Sequence, residues 1–339
     1  MREWIRFKLT VLTPAFISGA DQKESEFRAA SVRGLLRWWW RATVGHLYAL
    51  PELAVHEARI FGSTSEGLKS CVSVSVQEKL IAQMSRASRL PRSGQTYPWR
   101  EGRSQDILPY LAYGPVSILP RRERHPDGKA KEAIFNDING KPFKDPRFMR
   151  PAIAPGSELG VRLAWIPGRL TEIQITELTQ AMCAWVSLGG LGSRSRKGWG
   201  LLEGQLESAS TRGLLESTRQ AWRFCQTDLQ ENGKPLPNPL PSYPQLAFRR
   251  IVKDSQSFER WEQALGSIGL KYKNLRPRGE SRWIAGDADP RRASSLLISM
   301  IRGPDRKLRG LLCLLPCRRS GSQDGEREMR SFIQQLEER

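Results

Sequence analysis

Apolar and polar positions alternate from Ile5 to Val11, with Ile5, Phe7, Leu9 and Val11 apolar and Arg6, Lys8 and Thr10 polar. A period of two predicts a strand with one buried face and one basic face. A polar stretch over residues 18–28 leads to Ser31, read as the N-cap of a helix reaching about Leu47. Val72, Val74 and Val76 alternate with serines as a second strand, and Leu159, Val161, Leu163 and Trp165 as a third. Ile175, Leu178, Met182 and Trp185 recur at the spacing of a buried helical stripe. A strand from about Trp199 to Leu206 completes the order β-α-β-β-α-β.

After the proline-dense run KPLPNPLPSYP at residues 234–244 the pattern starts again. A strand is expected near 246–252, then a helix carrying Phe258, Trp261, Leu265 and Ile268 on one face. Two strands at 294–301 and 308–315 flank the turn RGPDRK, and a last helix carries Met329, Phe332, Ile333 and Leu336. This order, β-α-β-β-α, is the first one without its final strand. The expected fold is therefore α+β, two ferredoxin-like (RRM-like) units packed together, the first with a long insertion and the second divergent. The boundaries read as 1–206 for the first unit, with its insertion at about 81–157. A helix and Pro-rich linker follow over 207–242, and the second unit covers 243–339. A length of 339 residues suits two domains that each bury a core. The insertion is rich in Pro, Gly and Arg and lacks clear periodicity, so it is expected to be a partly ordered functional excursion.

Charge narrows the class. There are 54 Lys+Arg against 35 Asp+Glu, a net charge of +19, which points to a polyanionic partner, either nucleic acid or an anionic membrane surface. The longest apolar runs fall far short of a membrane span, which disfavours the membrane. The N-terminus also lacks the apolar stretch of a signal peptide. Five scattered cysteines suit reduced thiols in a cytoplasmic protein.

Two segments carry candidate chemistry. In SVRGLLRWWWR, starting at Ser31, Arg33, Arg37 and Arg41 are four apart and form one helical stripe, with no acidic residue between Phe27 and Leu50. Such a stripe can track phosphates, with Arg28 and the helix N-terminus at one end. Val32, Leu35, Trp39, Ala42 and Thr43 should face the sheet, while Trp38 and Trp40 flank the boundary with one edge wet. The second segment is GLGSRSRKGWG, residues 190–200, between a helix and a strand. Gly190, Gly192 and Gly198 permit positive φ and close approach of a phosphate backbone. Ser193 and Ser195 offer hydroxyls, Arg194, Arg196 and Lys197 offer charge, and Trp199 follows. The arrangement is neither a P-loop nor a dinucleotide fingerprint, because the loop follows a helix and opens a strand. The plainer alternatives are a solvated helix face for the first segment and a surface turn for the second. A third basic cluster at 271–309 includes Lys271, Lys273, Arg276, Arg278 and Arg282, with Tyr272 and Trp283 as candidate stacking groups.

GLGSRSRKGWG resembles the glycine-rich signature of the RAMP superfamily of CRISPR-associated RNA-binding proteins. FRAASVRGLLRWWWRA after LTPAFISGADQ, with RRASSLLISMI near the C-terminus, resembles the subunit-one family of Cmr (type III-B) effector complexes. The resemblance covers about 1–80 and 158–206 well and the second unit more loosely. It implies ferredoxin-like units and RNA binding through the glycine-rich loop and basic surfaces. The implied partners are guide RNA at its 3′ region, target RNA and other Cmr-type effector subunits, with no membrane and no small-molecule cofactor. Target cleavage belongs in that family to another subunit. The carried-over positions are Arg28, Ser31, Arg33, Arg37, Arg41 and residues 190–200.

Catalysis is not expected. Some RAMP relatives are metal-independent guide-processing endoribonucleases that use a His, which keeps that activity as the runner-up. Only His46, His56 and His125 exist here, and His46 falls on the buried side of its helix. Asp287 and Asp289 read as a turn, Asp21 as a loop-capping residue, and Cys313 with Cys317 lacks the second pair that zinc needs. A third reading is an assembly subunit with only indirect RNA contact.

Overall fold

The alternating N-terminal segment becomes an interior strand of a four-stranded antiparallel sheet in the computed structural model of the chain. The structure describes residues 1–98, 104–116, 123–124, 130–131, 145–277, 279–288, 291–318 and 324–338. Strand β1 (Glu3–Val11) is followed by helices α1 (Ala29–Val44) and α2 (Leu50–Phe61) and strand β2 (Ser73–Leu80). Next come β3 (Glu158–Trp165), α3 (Glu172–Leu188), β4 (Leu202–Ala209) and α4 (Arg212–Asp228). Across the sheet the order is β4-β1-β3-β2, each neighbouring pair antiparallel. Ile5, Phe7 and Leu9 are fully buried, and Phe7 stacks on Trp222 of α4 at 5.2 Å. Thr171 and Gln174 form a capping box at the start of α3. This helix packs against α1, α4 and both sheets, which is why ten of its side chains are buried instead of a single stripe.

The second sheet has three strands. β5 (Arg250–Lys253) leads to α5 (Trp261–Leu275), β6 (Leu296–Arg302), β7 (Leu308–Leu314) and α6 (Gly325–Glu337). Its order is β5-β7-β6, again antiparallel. Leu297, Leu311 and Cys313 join the core built around α3. Ile298, Leu312 and Leu314 join the core built around α5. Both faces are covered there, so β6 and β7 are largely buried apolar runs without alternation.

Two expectations change and one element is added. Trp199 lies in the loop before β4 and not in the strand, the strand expected from 246 begins only at Arg250 after a short 3-10 turn, and α2 is an element the sequence pattern does not announce. The described part of the insertion is built into the second core. Leu90, Tyr97, Ile107, Leu108 and Leu111 are buried there, and the one-turn helix Ile107–Leu111 packs on α5. Asp106 caps that turn, accepting from the amides of Ser93, Gly94 and Leu108. The approach is close because α5 is bare at Gly269, where a Cβ would sit 2.6 Å from Leu111 Cδ1. Among the described residues no helix is long and apolar enough to cross a membrane, and all five cysteines are free thiols.

Candidate nucleic-acid interface

Helix α1 starts earlier than Ser31. Arg28 is its N-cap, without a side-chain capping bond, and Ser31 is the third helical residue. Arg28 and Arg33 are exposed, and Arg28 lies 3.8 Å from Glu26. Arg37 and Arg41 are not left uncompensated. Both converge on the buried carboxylate of Glu57 from α2, Arg41 at 2.9 Å and Arg37 through a direct ion pair. The missing acid of the α1 segment is thus supplied from the next helix. Arg33 donates to the carbonyl of Phe61 at the end of α2. Trp40 is withdrawn as an RNA contact, because it is fully buried and donates through Nε1 to Glu177 at 3.2 Å. Trp38 stays at the boundary, with the Arg196 guanidinium 4.8 Å above its ring.

The 190–200 loop is a joint between the two sheets. Gly192 has φ +85°, and a Cβ there would sit 2.3 Å from the Phe16 carbonyl oxygen. At Gly198, φ +83°, the clash would be with Leu265 Cδ1 at 2.3 Å. A Cβ on Gly190 would meet the Trp199 carbonyl at 2.8 Å. These glycines admit protein neighbours, where close approach of a phosphate was expected. Arg196 donates to the Ser294 carbonyl at 2.6 Å, and its own carbonyl accepts from the Ile298 amide of β6. Lys197 Nζ reaches Tyr272 Oη, the Ala285 carbonyl at 3.0 Å and Ser294 Oγ at 3.2 Å. Burial, then the charges of Arg276, Arg194 and Arg196, hold its amine well below the usual lysine value. Burial also lowers the Arg196 guanidinium. Trp199 is fully buried between Phe16 and Trp261. Arg196, Lys197 and Trp199 therefore join the packing of the two sheets and are withdrawn from the RNA surface. Arg194 is exposed, near the Tyr113 ring at 5.6 Å, and Ser193 and Ser195 are half-buried.

Tyr272 and Trp283, read as stacking groups, are buried. Sequence reasoning missed what the insertion adds beside them. Lys273 lies 4.3 Å from the Tyr97 ring, and Arg276 donates to Tyr110 Oη at 2.8 Å. Basic and aromatic residues interleave visibly at 271–276, but nothing local marks Tyr97 or Tyr110 as their neighbours. Arg278 and His125 lie outside the described residues, as does Asp289. His46 packs edge-on to Phe248 with Nδ1 3.1 Å from the Thr43 carbonyl. Burial and the nearby Lys234 lower its pKa. His56 lies against Tyr48. Asp21 Oδ1 accepts from the Lys23 amide at 2.8 Å, the loop-capping bond expected of it. Among the described residues no cluster of three or more His, Cys, Asp or Glu could hold a metal.

One junction remains open to solvent. The segment after β1, the first turn of α1 and the Gly192–Ser193 stretch meet around a cavity of about 380 Å³. Ser193 donates its amide to the Phe16 carbonyl at 2.9 Å, which fixes the glycine loop against the first loop. Arg150, from the end of the insertion, also lines the cavity.

This antiparallel fold with its glycine-rich joint is that of a known class. The family description for RAMPs, the RAMP superfamily, matches residues 8–203, and the chain belongs to that superfamily. Within it the chain is similar to the CRISPR system Cmr subunit Cmr1-2 of Pyrococcus furiosus, 29% identical over 202 residues that span 59% of this chain and 94% of that protein. The crystal structure of Cmr1 from Pyrococcus furiosus in its apo form aligns with a TM-score of 0.50 at 21% identity, covering 99% of this chain and 97% of that one. A chain of the type III-B Cmr-beta complex bound to cognate target RNA aligns with a TM-score of 0.48 at 12% identity, covering 98% and 100%.

Proposed function

We propose that this chain is a non-catalytic RNA-binding subunit of a type III-B CRISPR (Cmr) ribonucleoprotein effector. In this reading it contacts the guide RNA 3′ region, target RNA or both in antiviral defence inside the cell, beside other Cmr-type subunits. Its two sheets are read as two ferredoxin-like units, 1–206 and 243–339, joined by the helix and linker of 207–242. The observation that supports RNA contact best is the exposure of Arg150 at the open cavity, of Arg28 at the N-cap of α1 and of Arg194 next to Ser193, on a chain of net charge +19. Phosphates neutralised by these groups release counterions, and base sequence is left to guide–target pairing. Arg37 and Arg41, held by Glu57, add less than their spacing promised.

Binding of a labelled single-stranded RNA across a salt series, without divalent metal and followed by a denaturing gel, tests this. A variant with Arg28, Arg150 and Arg194 all changed to Ala should show a log–log salt slope shallower by about 0.7 for each phosphate it no longer neutralises. An unchanged slope would remove the junction from the RNA surface. Specific cleavage by the purified chain would overturn the non-catalytic part.

A further inference from the structure

The open cavity has a lining that the phosphate reading does not require. Its floor is apolar, formed by Phe16, Ile17 and Leu35. Its polar lining is Ser18, Gln22, Ser31 and Ser193, with Arg150 beside them. None of these five side chains makes a hydrogen bond or ion pair to another described residue. Arg37 and Arg41, further along the same helix, are by contrast paired to Glu57. No carboxylate lines the cavity.

We infer that this cavity receives a single unstacked ribonucleotide of the bound RNA strand, an inference that rests on the RNA-binding reading above. A heterocyclic base presents an apolar face and a polar edge, and the cavity presents an apolar floor and a polar lining. Hydroxyls and a carboxamide both donate and accept, so they can pair with any base edge. Single-stranded RNA is recognised in this way, by splayed bases against side chains, with charge along the backbone. Arg150 lines the cavity and the exposed Arg28 caps the helix that carries Ser31, so both are available to flanking phosphates. Its volume, about 380 Å³, is near the lower end of the roughly 300–1,000 Å³ of small-molecule sites, room for one nucleotide and not for a paired helix. Ser31 and Ser193 therefore act as base-edge contacts, and Gly192 is the residue that lets the loop close the cavity's wall.

The test places a thiol in the wall. Ser193→Cys is a small change that keeps the backbone bond to Phe16, and alkylation of the new thiol reports on occupancy. A uridine homopolymer at ten times its dissociation constant should slow alkylation about tenfold by mass action. A ribose-phosphate strand of equal length without bases, also at saturation, should leave the rate nearly unchanged. Anisotropy of the same labelled strands reports binding independently. RNA that binds without protecting the thiol overturns the cavity as a nucleotide site while leaving the RNA-binding reading intact. Equal protection by the abasic strand makes it a phosphate site and overturns the inference too. Protection by free uridine monophosphate at the same concentration would mark a free-nucleotide site and overturn it as well. No RNA binding at all refutes the wider reading and this one with it.

Discussion

Lys197 gives the sharpest test of the idea that the glycine-rich loop is a joint between sheets. Its amine is buried among three acceptors, and burial with the neighbouring arginines holds its pKa well below 10.5 in the folded chain. The unfolded chain then binds more protons than the folded one between the two pKa values, so stability rises with pH across that window. One proton changes the unfolding free energy by about 1.36 kcal/mol per pH unit at most. With about 2.1 cal/mol/K of unfolding entropy per residue, a chain of 339 residues shifts its Tm by about 1.4 °C per kcal/mol, hence by about 2 °C per pH unit. The comparison protein is Lys197→Met, which keeps the stem and removes the titration. Tyr272 Oη retains the Ala285 carbonyl and Ser294 Oγ the Leu296 carbonyl, so the pocket can close around the methionine. Thermal unfolding of both proteins is followed as the pH is raised toward the ordinary lysine value of 10.5, the upper edge of the window that the lowered amine opens. The wild-type Tm should gain on the variant by up to about 2 °C for each pH unit inside that window. Tyr and Cys ionisation is common to both proteins and cancels in the difference. A difference that stays flat, or falls as pH rises, would show an exposed ordinary lysine and refute the buried joint.

Changing Glu57 to Gln should release Arg37 and Arg41 and steepen the RNA salt slope by up to about 0.7 for each arginine that then finds a phosphate; an unchanged slope would mean that this face of α1 never meets RNA. Trp40→Ala should cost about 3–5 kcal/mol of stability, read as a Tm loss of several degrees, because it empties a fully buried site and removes a donor from Glu177. Gly192→Ala should lower the Tm, since its Cβ would press on the Phe16 carbonyl at 2.3 Å. Gly34→Ala is the opposite control, with nothing within 4 Å in an exposed stretch of α1, and should stabilise by about 0.5–1 kcal/mol. Equal shifts in the two glycine variants would contradict the packing described for the loop.

Much of the fold was legible because its signals are local. The strict alternation of β1 and the 3.6-residue stripe of α3 each follow from one buried face. The α2 helix was harder, because its decisive residue is Glu57, whose meaning comes only from two arginines on another helix. The insertion was opaque for a similar reason. Leu111 and Ser93 come up against α5, a segment distant in sequence, where the bare Gly269 and Gly266 leave room for them. For the site, the spacing of Arg33, Arg37 and Arg41 correctly put them on one stripe of α1, yet spacing says nothing about a partner from another element. The glycines were correctly singled out as places of close approach, but the approaching atoms are the Phe16 carbonyl and Leu265 rather than phosphate oxygens.

That difference bears on how any mutation of this loop should be read. Arg194, Arg196 and Lys197 are three cations in four residues, and removing all three together looks like a test of RNA contact. In the folded chain two of them tie the loop to Ser294, to Ala285 and to Tyr272 of α5, so the triple change would weaken RNA binding even if neither ever touched RNA. A loss confined to affinity, with the salt slope unchanged, is what a loosened joint produces. A loss with a shallower slope is what a missing phosphate contact produces. Only Arg194 alone, compared with Arg196 and Lys197 changed as a pair and with Tm measured on each, separates the two. If the pair shifts Tm and Arg194 shifts the slope, one loop performs both tasks with different side chains: it holds the two sheets together from its inner face and meets the strand from its outer one.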